Sequence, residues 1–203
     1  MHTFLDAKQM ARALRQGLAD KKLELSHSDC LELVALQFGF ADWNTLSARI
    51  HAEEHPPALP TGWTPTGIGR GNAYRAGLDP DMPGAMRVAS TSPNGIIDVD
   101  EFGGLMHTIP ADTWRGKTVR LGAELMGRAV ERGAIWLKLD AADGRALNVA
   151  NTPARGDFGW TGREVVMKVP EAAALIRYGL QLAGGGEIWA RGFRLEEVVS
   201  AEA

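Results

Sequence analysis

Residues 117–141 read KTVRLGAELMGRAVERGAIWLKLDA, and their alternation decides the fold class of most of the chain. Val119, Leu121, Ala123 and Leu125 alternate with Thr118, Arg120, Gly122 and Glu124. Further on, Ile135, Leu137 and Leu139 alternate with Trp136, Lys138 and Asp140. A period of two sends successive side chains to opposite faces of a sheet. Two strands are therefore expected, 117–126 and 134–141, with a helical or loose connection between them. One face of each strand belongs to a core. The other carries charged groups beside a broad indole, which is either solvated surface or the floor of a groove.

On either side of this stretch the reading stays β from residue 63 to the end. Further strands are expected at 85–90, 103–109, 146–151, 163–169, 175–183 and 187–198. Turn signals separate them: Ser92-Pro93-Asn94-Gly95, Asp112 to Gly116, Asp143-Gly144, Pro153 to Gly162 and Gly184-Gly185-Gly186. Asp-Gly between alternating runs is a strong hairpin signal. Eight strands at this spacing suit a two-sheet sandwich of the jelly-roll kind.

The first 55 residues differ in kind. All ten prolines and 22 of the 24 glycines lie beyond them. Ala7, Met10, Ala11, Leu14 and Leu18 form one stripe at helical spacing, so a helix is expected over 3–20, with Thr3 as its cap. Ser26 caps a second helix, with Leu25 and Cys30 placed as a hydrophobic staple and Leu31, Val34, Ala35 and Phe38 facing inward. Gly39 stops it. Asp42 caps a third, about 43–53, with Leu46 and Ile50 buried. The last two helices have helix-turn-helix spacing across Gly39-Phe40-Ala41. The fold class expected is thus α+β in two modules: a three-helix domain over 1–53, a Pro-rich linker over 54–62 with Pro56, Pro57 and Pro60, and a β-sandwich over 63–203.

Both modules carry a resemblance. Leu25–Ser28, Leu31–Ala35 and the run Gly39, Phe40, Asp42, Trp43, Asn44, Leu46 resemble a small helical domain of proteobacterial proteins called glyoxalase-related. That name derives from neighbouring modules and implies no catalysis by this segment. FGGLMHTIPADTWRGKTVRLGAEL, AIWLKLDAADGRALNVANT, REVVMKVPEAA and IRYGLQLAGGGEIWARGFRLEEV resemble a galactose-binding-like β-sandwich. Its variants occur in the C-terminal half of some bacterial transcription regulators, and it is similar in architecture to carbohydrate-binding modules. The closing strand departs from that pattern: Ala190-Arg191-Gly192 stands where an aspartate is expected.

Composition narrows the function classes. The chain has 203 residues, 45% hydrophobic and 23% charged, with a formal net charge of −3. That balance argues against binding nucleic acid by bulk electrostatics. The single cysteine, Cys30, allows no intrachain disulfide and reads as a small core residue. MHTFLDAKQM has no basic region followed by an apolar run, and no apolar stretch approaches a membrane span, so a cytoplasmic protein is expected.

The candidate ligand-binding set is Arg120 and Glu124, Trp136 and Lys138, and Arg177 and Gln181, expected to converge if their three strands share a sheet. An indole and hydrogen-bonding groups suit a sugar, and arginines an anion. Cross-strand ion pairing on a solvated face is the competing reading. Trp43 is expected in the helical core and Trp114 at a corner, whereas Trp63, Trp160 and Trp189 have no evident place. The five histidines (His2, His27, His51, His55 and His107) have no metal-ligand spacing, and His107 reads as a semi-buried structural residue. Asp98-Val99-Asp100-Glu101 offers oxygen ligands without EF-hand spacing, so no metal site is assigned. Gly67-Ile68-Gly69-Arg70-Gly71 has no following helix, so it is no phosphate loop. No nucleophile elbow, catalytic triad or glyoxalase ligand set can be assembled, so no catalytic residue and no cofactor are expected.

Arg12, Arg15 and Lys22 are the cations a nucleic acid would meet on the helical module. Residues 1–55 nevertheless hold six basic and eight acidic side chains, and the expected recognition helix, 42–50, has only Arg49 as a cation. The leading expectation is a non-enzymatic binding or regulatory protein. Its helices dock a protein partner or a second copy, and its sandwich binds a small polar ligand or a protein surface. The alternatives are a ligand-responsive DNA-binding regulator and a degenerate glyoxalase-associated enzyme.

Overall fold

In the computed structural model, residues 4–68, 73–91 and 101–198 are described, apart from the side chains of residues 52, 53 and 68. Contacts divide the chain into two compact units, Met1–Pro56 and Pro57–Ala203. The segment expected as a linker is therefore divided. Pro57 onward joins the β unit, where the Ala58 carbonyl accepts a hydrogen bond from Leu78 N at 2.7 Å.

The helical unit has a 3₁₀ turn over Phe4–Asp6, then α1 (Ala7–Ala19), α2 (His27–Gln37) and α3 (Trp43–Glu54). Helix α1 starts later than expected, behind Asp6, and Thr3 lies outside the described residues. At α2, Ser26 and Asp29 form a reciprocal capping box, each side chain satisfying the other's backbone N–H. At α3, Asp42 accepts from Thr45 N at 2.7 Å, and that bond holds its carboxyl below the usual range. Gly39 follows α2 at φ +79°, the left-handed stop the sequence calls for. Ala7, Ala11, Cys30, Val34, Ala35, Leu46 and Ile50 form the buried centre, with Trp43 packed against it.

The β unit holds β1 (Trp63–Ile68), β2 (Tyr74–Leu78), β3 (Met86–Ser90), β4 (Phe102–Pro110), β5 (Thr118–Ala141), β6 (Ala146–Lys168), β7 (Ala173–Ala183) and β8 (Glu187–Glu197). They form one antiparallel sheet in the order β1-β4-β7-β5-β8-β3-β2, with β6 paired to β5. Strand β5 joins its two halves. Residues 119–128 pair with β8, and residues 132–141 pair with β7. Buried residues of both halves, among them Leu121, Leu125, Leu137, Leu139, Leu180 and Ile188, share one core. The sheet is thus folded on itself into a sandwich. Its two layers are called here the β8 layer and the β7 layer.

The two strands expected in 117–141 are therefore one strand of 24 residues. Bulges between Leu125 and Gly133 bend it. The buried positions run Leu125, Val130, Ile135, so the inward phase slips from odd to even and back. Each arm alternates cleanly, and the slip between them looks like a helix or a loop. Ala129 takes φ +50° at the bend, and Asp157 Oδ1 accepts its N–H at 2.8 Å. The β7–β8 turn packs onto the same point: a Cβ on Gly186 would come within 2.2 Å of the Ala129 carbonyl. Gly186 also sits at φ +100°, so both space and conformation demand glycine there.

Strand β6 corrects the sequence reading in the same way. The segment Pro153 to Gly162 is strand, held against the bend of β5 throughout. Among the described residues β6 pairs only with β5, and an edge strand tolerates a proline and several glycines. Strands β1 and β2 escaped the sequence reading. Each ends the sheet order, and β1 carries Pro65 where an edge permits it.

Candidate functional site

Because β5 crosses both layers, the six expected ligand-binding residues do not converge. Arg120 and Glu124 lie on the β8 layer, opposite Glu196 and Arg191 of β8. Trp136 and Lys138 lie on the β7 layer, opposite Gly179 and Arg177, with Gln181 opposite Ala134. The outward faces of the two layers point away from one shared core. Of the six, Trp136, Lys138, Arg177 and Gln181 therefore share one outer face, while Arg120 and Glu124 lie on the other.

On the β8 layer the charges are paired with each other. Arg120 Nε lies 3.3 Å from Glu164, Arg191 Nε 2.8 Å from Glu124, and Lys117 Nζ 2.8 Å from Glu197. Two tryptophans there are covered by arginines. The Arg191 guanidinium stands 4.1 Å above the Trp160 ring. Trp189 is 3% exposed, with Arg87 and Arg128 at 5.5 and 5.6 Å from its ring. Its Nε1–H donates to Asp79 Oδ2 at 2.5 Å, and Asp79 Oδ1 accepts from Asp81 N and Met82 N. Burial alone would raise the Asp79 carboxyl pKa. The bonds from the indole and the two backbone N–H groups outweigh it and hold the value below normal.

On the β7 layer, Asp140 is fully buried between two cations. Arg177 Nη1 reaches one oxygen at 2.8 Å and Lys138 Nζ the other at 3.0 Å. Both cations therefore have a structural task, neutralising a buried carboxylate. Trp136 lies across the backbone at Gly179, where an added Cβ would sit 3.1 Å from indole Cζ2 and 2.0 Å from the Leu105 carbonyl. The indole is half-buried, and its Nε1 is buried without a hydrogen-bond partner among the described residues. Beside it is a shallow concavity of about 200 Å³, with Arg132, Asn151, Arg155 and Gln181 around a floor that includes Gly133 and Ala134. Asn151 is the cross-strand partner of Trp136, so indole and concavity are continuous.

Arg132, Asn151 and Arg155 were not legible as site residues. The outward parity of 151 and 155 follows only from the β5–β6 register, and the sequence places 153–162 in a loop. A second group emerges on the inner face. Trp63, His107, Tyr178 and Phe193 pack ring to ring, with centroids 5.0 to 6.2 Å apart. This gives Trp63 its place and His107 the semi-buried role expected of it. Desolvation pushes the Tyr178 phenol pKa up.

Among the described residues no cluster of three or more metal-ligating side chains occurs. Residues 98–100 and 69–71 of the acidic and glycine-rich stretches lie outside the described residues. No described helix is long and apolar enough to cross a membrane. On the helical unit Arg12, Arg15 and Lys22 are exposed, as are Leu23, Leu25, Leu33 and Leu36. Arg15, Leu23 and Leu25 share a concavity of about 540 Å³ after α1.

Residues 1–76 match the family model of a glyoxalase superfamily protein. The chain is 34% identical over 107 residues to an uncharacterized HTH-type transcriptional regulator, YbfP, of Bacillus subtilis (strain 168), covering 51% of this chain and 36% of that protein. The chain thus spans about a third of the length of that curated relative. Among solved structures, the enzymatically active domain of bacteriophage CBA120 tailspike protein 4 matches with a TM-score of 0.54 at 14% identity, over 68% of this chain and 20% of that chain. A CBM4 structure matches with a TM-score of 0.49 at 13% identity, over 67% of this chain and 86% of that one. The tailspike likeness bears on the fold alone, and the likeness to YbfP is a sequence relationship to a regulator.

Proposed function

We propose that this is a non-catalytic binding and regulatory protein whose β-sandwich, of the galactose-binding-like jelly-roll kind, takes a small polar ligand on the outer face of its β7 layer. One observation carries this reading: the half-buried indole of Trp136 lies over the backbone at Gly179, next to a concavity rimmed by Gln181 and Asn151. The other two surface-layer indoles are covered by arginines. A flat ring with adjacent amides supplies stacking and directional hydrogen bonds together. Lys138 and Arg177 hold Asp140 and border the site.

A thermal-shift screen of metabolites and sugars tests it. A compound that stabilises the wild type is expected to lose its effect on Trp136→Ala and keep it on Trp160→Ala. A screen in which no compound shifts the wild type, or one in which Trp136→Ala changes nothing, rejects the reading.

The helical unit docks a protein partner or a second copy in this proposal, because five of its leucines, Leu5, Leu23, Leu25, Leu33 and Leu36, stand exposed. The chain's relationship to an HTH-type regulator supports a second reading, in which α2 and α3 form a helix-turn-helix and the helical unit contacts DNA. DNA binding then falls steeply with salt and is lost when Arg12, Arg15 and Lys22 are neutralised together. Binding that ignores salt rejects this second reading.

A further inference from the structure

We infer that the concavity beside Trp136 recognises an oxyanion, so that its ligand is a compact polar molecule bearing a carboxylate or a phosphate. This rests on the reading of the β7 face given above and specifies its chemistry. The rim holds two guanidinium groups, Arg132 and Arg155, and two amides, Asn151 and Gln181. None of the described residues that line it is acidic. Arg155 and the two amides can each turn an N–H inward, and a guanidinium offers a carboxylate or phosphate two parallel N–H bonds.

The nearest acids along the chain are committed elsewhere. Glu131 Oε2 accepts from Gly185 N at 3.0 Å, and Asp157 Oδ1 accepts from Ala129 N at 2.8 Å. Both carboxylates brace the bend of β5. The contrast with Lys138 and Arg177 is direct, since Asp140 cancels charge between those two. Arg155 has no such partner among the described residues, so its charge stays available at the rim. The floor is made of small residues such as Gly133 and Ala134. At about 200 Å³ the space is below the usual range of drug-sized pockets, which fits one anionic group and a short skeleton.

Titration of the full chain with glucose, glucuronate and glucose 1-phosphate, followed by ¹H–¹⁵N NMR, tests the inference. Glucuronate or glucose 1-phosphate is expected to shift the side-chain amides of Asn151 and Gln181 and the indole N–H of Trp136. The charged sugar that binds should do so about tenfold more tightly than glucose, and Arg155→Gln should remove that advantage. Arg194→Gln, on the other layer, should leave it intact. Which of the two charged sugars binds separates a carboxylate from a phosphate ligand. Glucose binding as tightly as the charged sugars, with Arg155→Gln neutral, overturns the oxyanion inference and leaves the groove standing. Shifts confined to residues outside the groove, or no shift with any of the three, overturn both.

Discussion

The two outer faces of the sandwich are made from the same strand and nearly the same residue types, yet they do different things. Both arms of β5 show basic, acidic and apolar residues at period two, and both layers carry tryptophan. On the β8 layer Arg120, Glu124, Lys117 and Arg191 each find an opposite charge, and Trp160 and Trp189 lie under guanidinium groups. That face satisfies itself. On the β7 layer the opposite charges collect around one buried carboxylate, and Arg155 at the adjoining rim has no acid paired with it among the described residues. The composition of a strand face therefore says little about binding. What matters is whether its polar groups are already partnered.

The comparison breaks first if the two layers do not share a core. Leu125 and Leu137 lie on different arms of β5, both fully buried in one cluster. Leu125→Ala and Leu137→Ala should each cost about 3 kcal/mol, with one cooperative urea transition for the β unit in both variants. Separate transitions for the two arms would show two independent sheets.

A smaller effect sharpens the contrast of the carboxylates. Asp140→Asn should cost about 2 kcal/mol, because Lys138 and Arg177 lose a fully buried partner while remaining partly solvated. Glu124→Gln on the other layer should cost about 0.5 kcal/mol or less, its pair with Arg191 being exposed. Equal costs, measured by denaturant unfolding, would remove the distinction between the faces.

A pH-dependent effect concerns Asp79, which anchors the covered Trp189. Its folded carboxyl titrates below the unfolded value, so its contribution is complete above the unfolded pKa of about 4 and disappears as pH falls through the lower folded value. Asp79→Asn should be less stable than the wild type by about 1.5 kcal/mol at neutral pH, from weakened charge-assisted bonds. That gap should narrow as pH falls below about 4 and close below the lowered folded pKa, where both side chains are uncharged. A gap that stays constant with pH would show that the carboxylate charge contributes nothing.

Much of the fold was legible in local signals. Ser26, Gly39 and Asp42 mark the helix ends because capping and left-handed stops are decided within a few residues. Val119, Leu121, Leu125, Leu137 and Leu139 are buried as their alternation requires. The edge strands β1 and β2 were missed because edge position removes the constraints that make strands recognisable. A proline in β1 and a glycine in β2 are tolerated where a hydrogen-bonding neighbour is lacking on one side. Of the site, Trp136, Lys138, Arg177 and Gln181 were found by parity. Arg132, Asn151 and Arg155 required the register between β5 and β6.

By itself, then, the sequence determined a helical unit followed by a β unit, and which side of each β5 arm is buried. Periodicity and capping are local properties, and they survive without knowledge of the partner strands. Tertiary structure alone decided that the arms of residues 117–141 are one strand bent between two layers. The bulges around Ala129 shift the phase twice, and only pairing with β6, β7 and β8 shows where each arm goes. That bend separates Arg120 and Glu124 from Trp136 and places the concavity beside the indole.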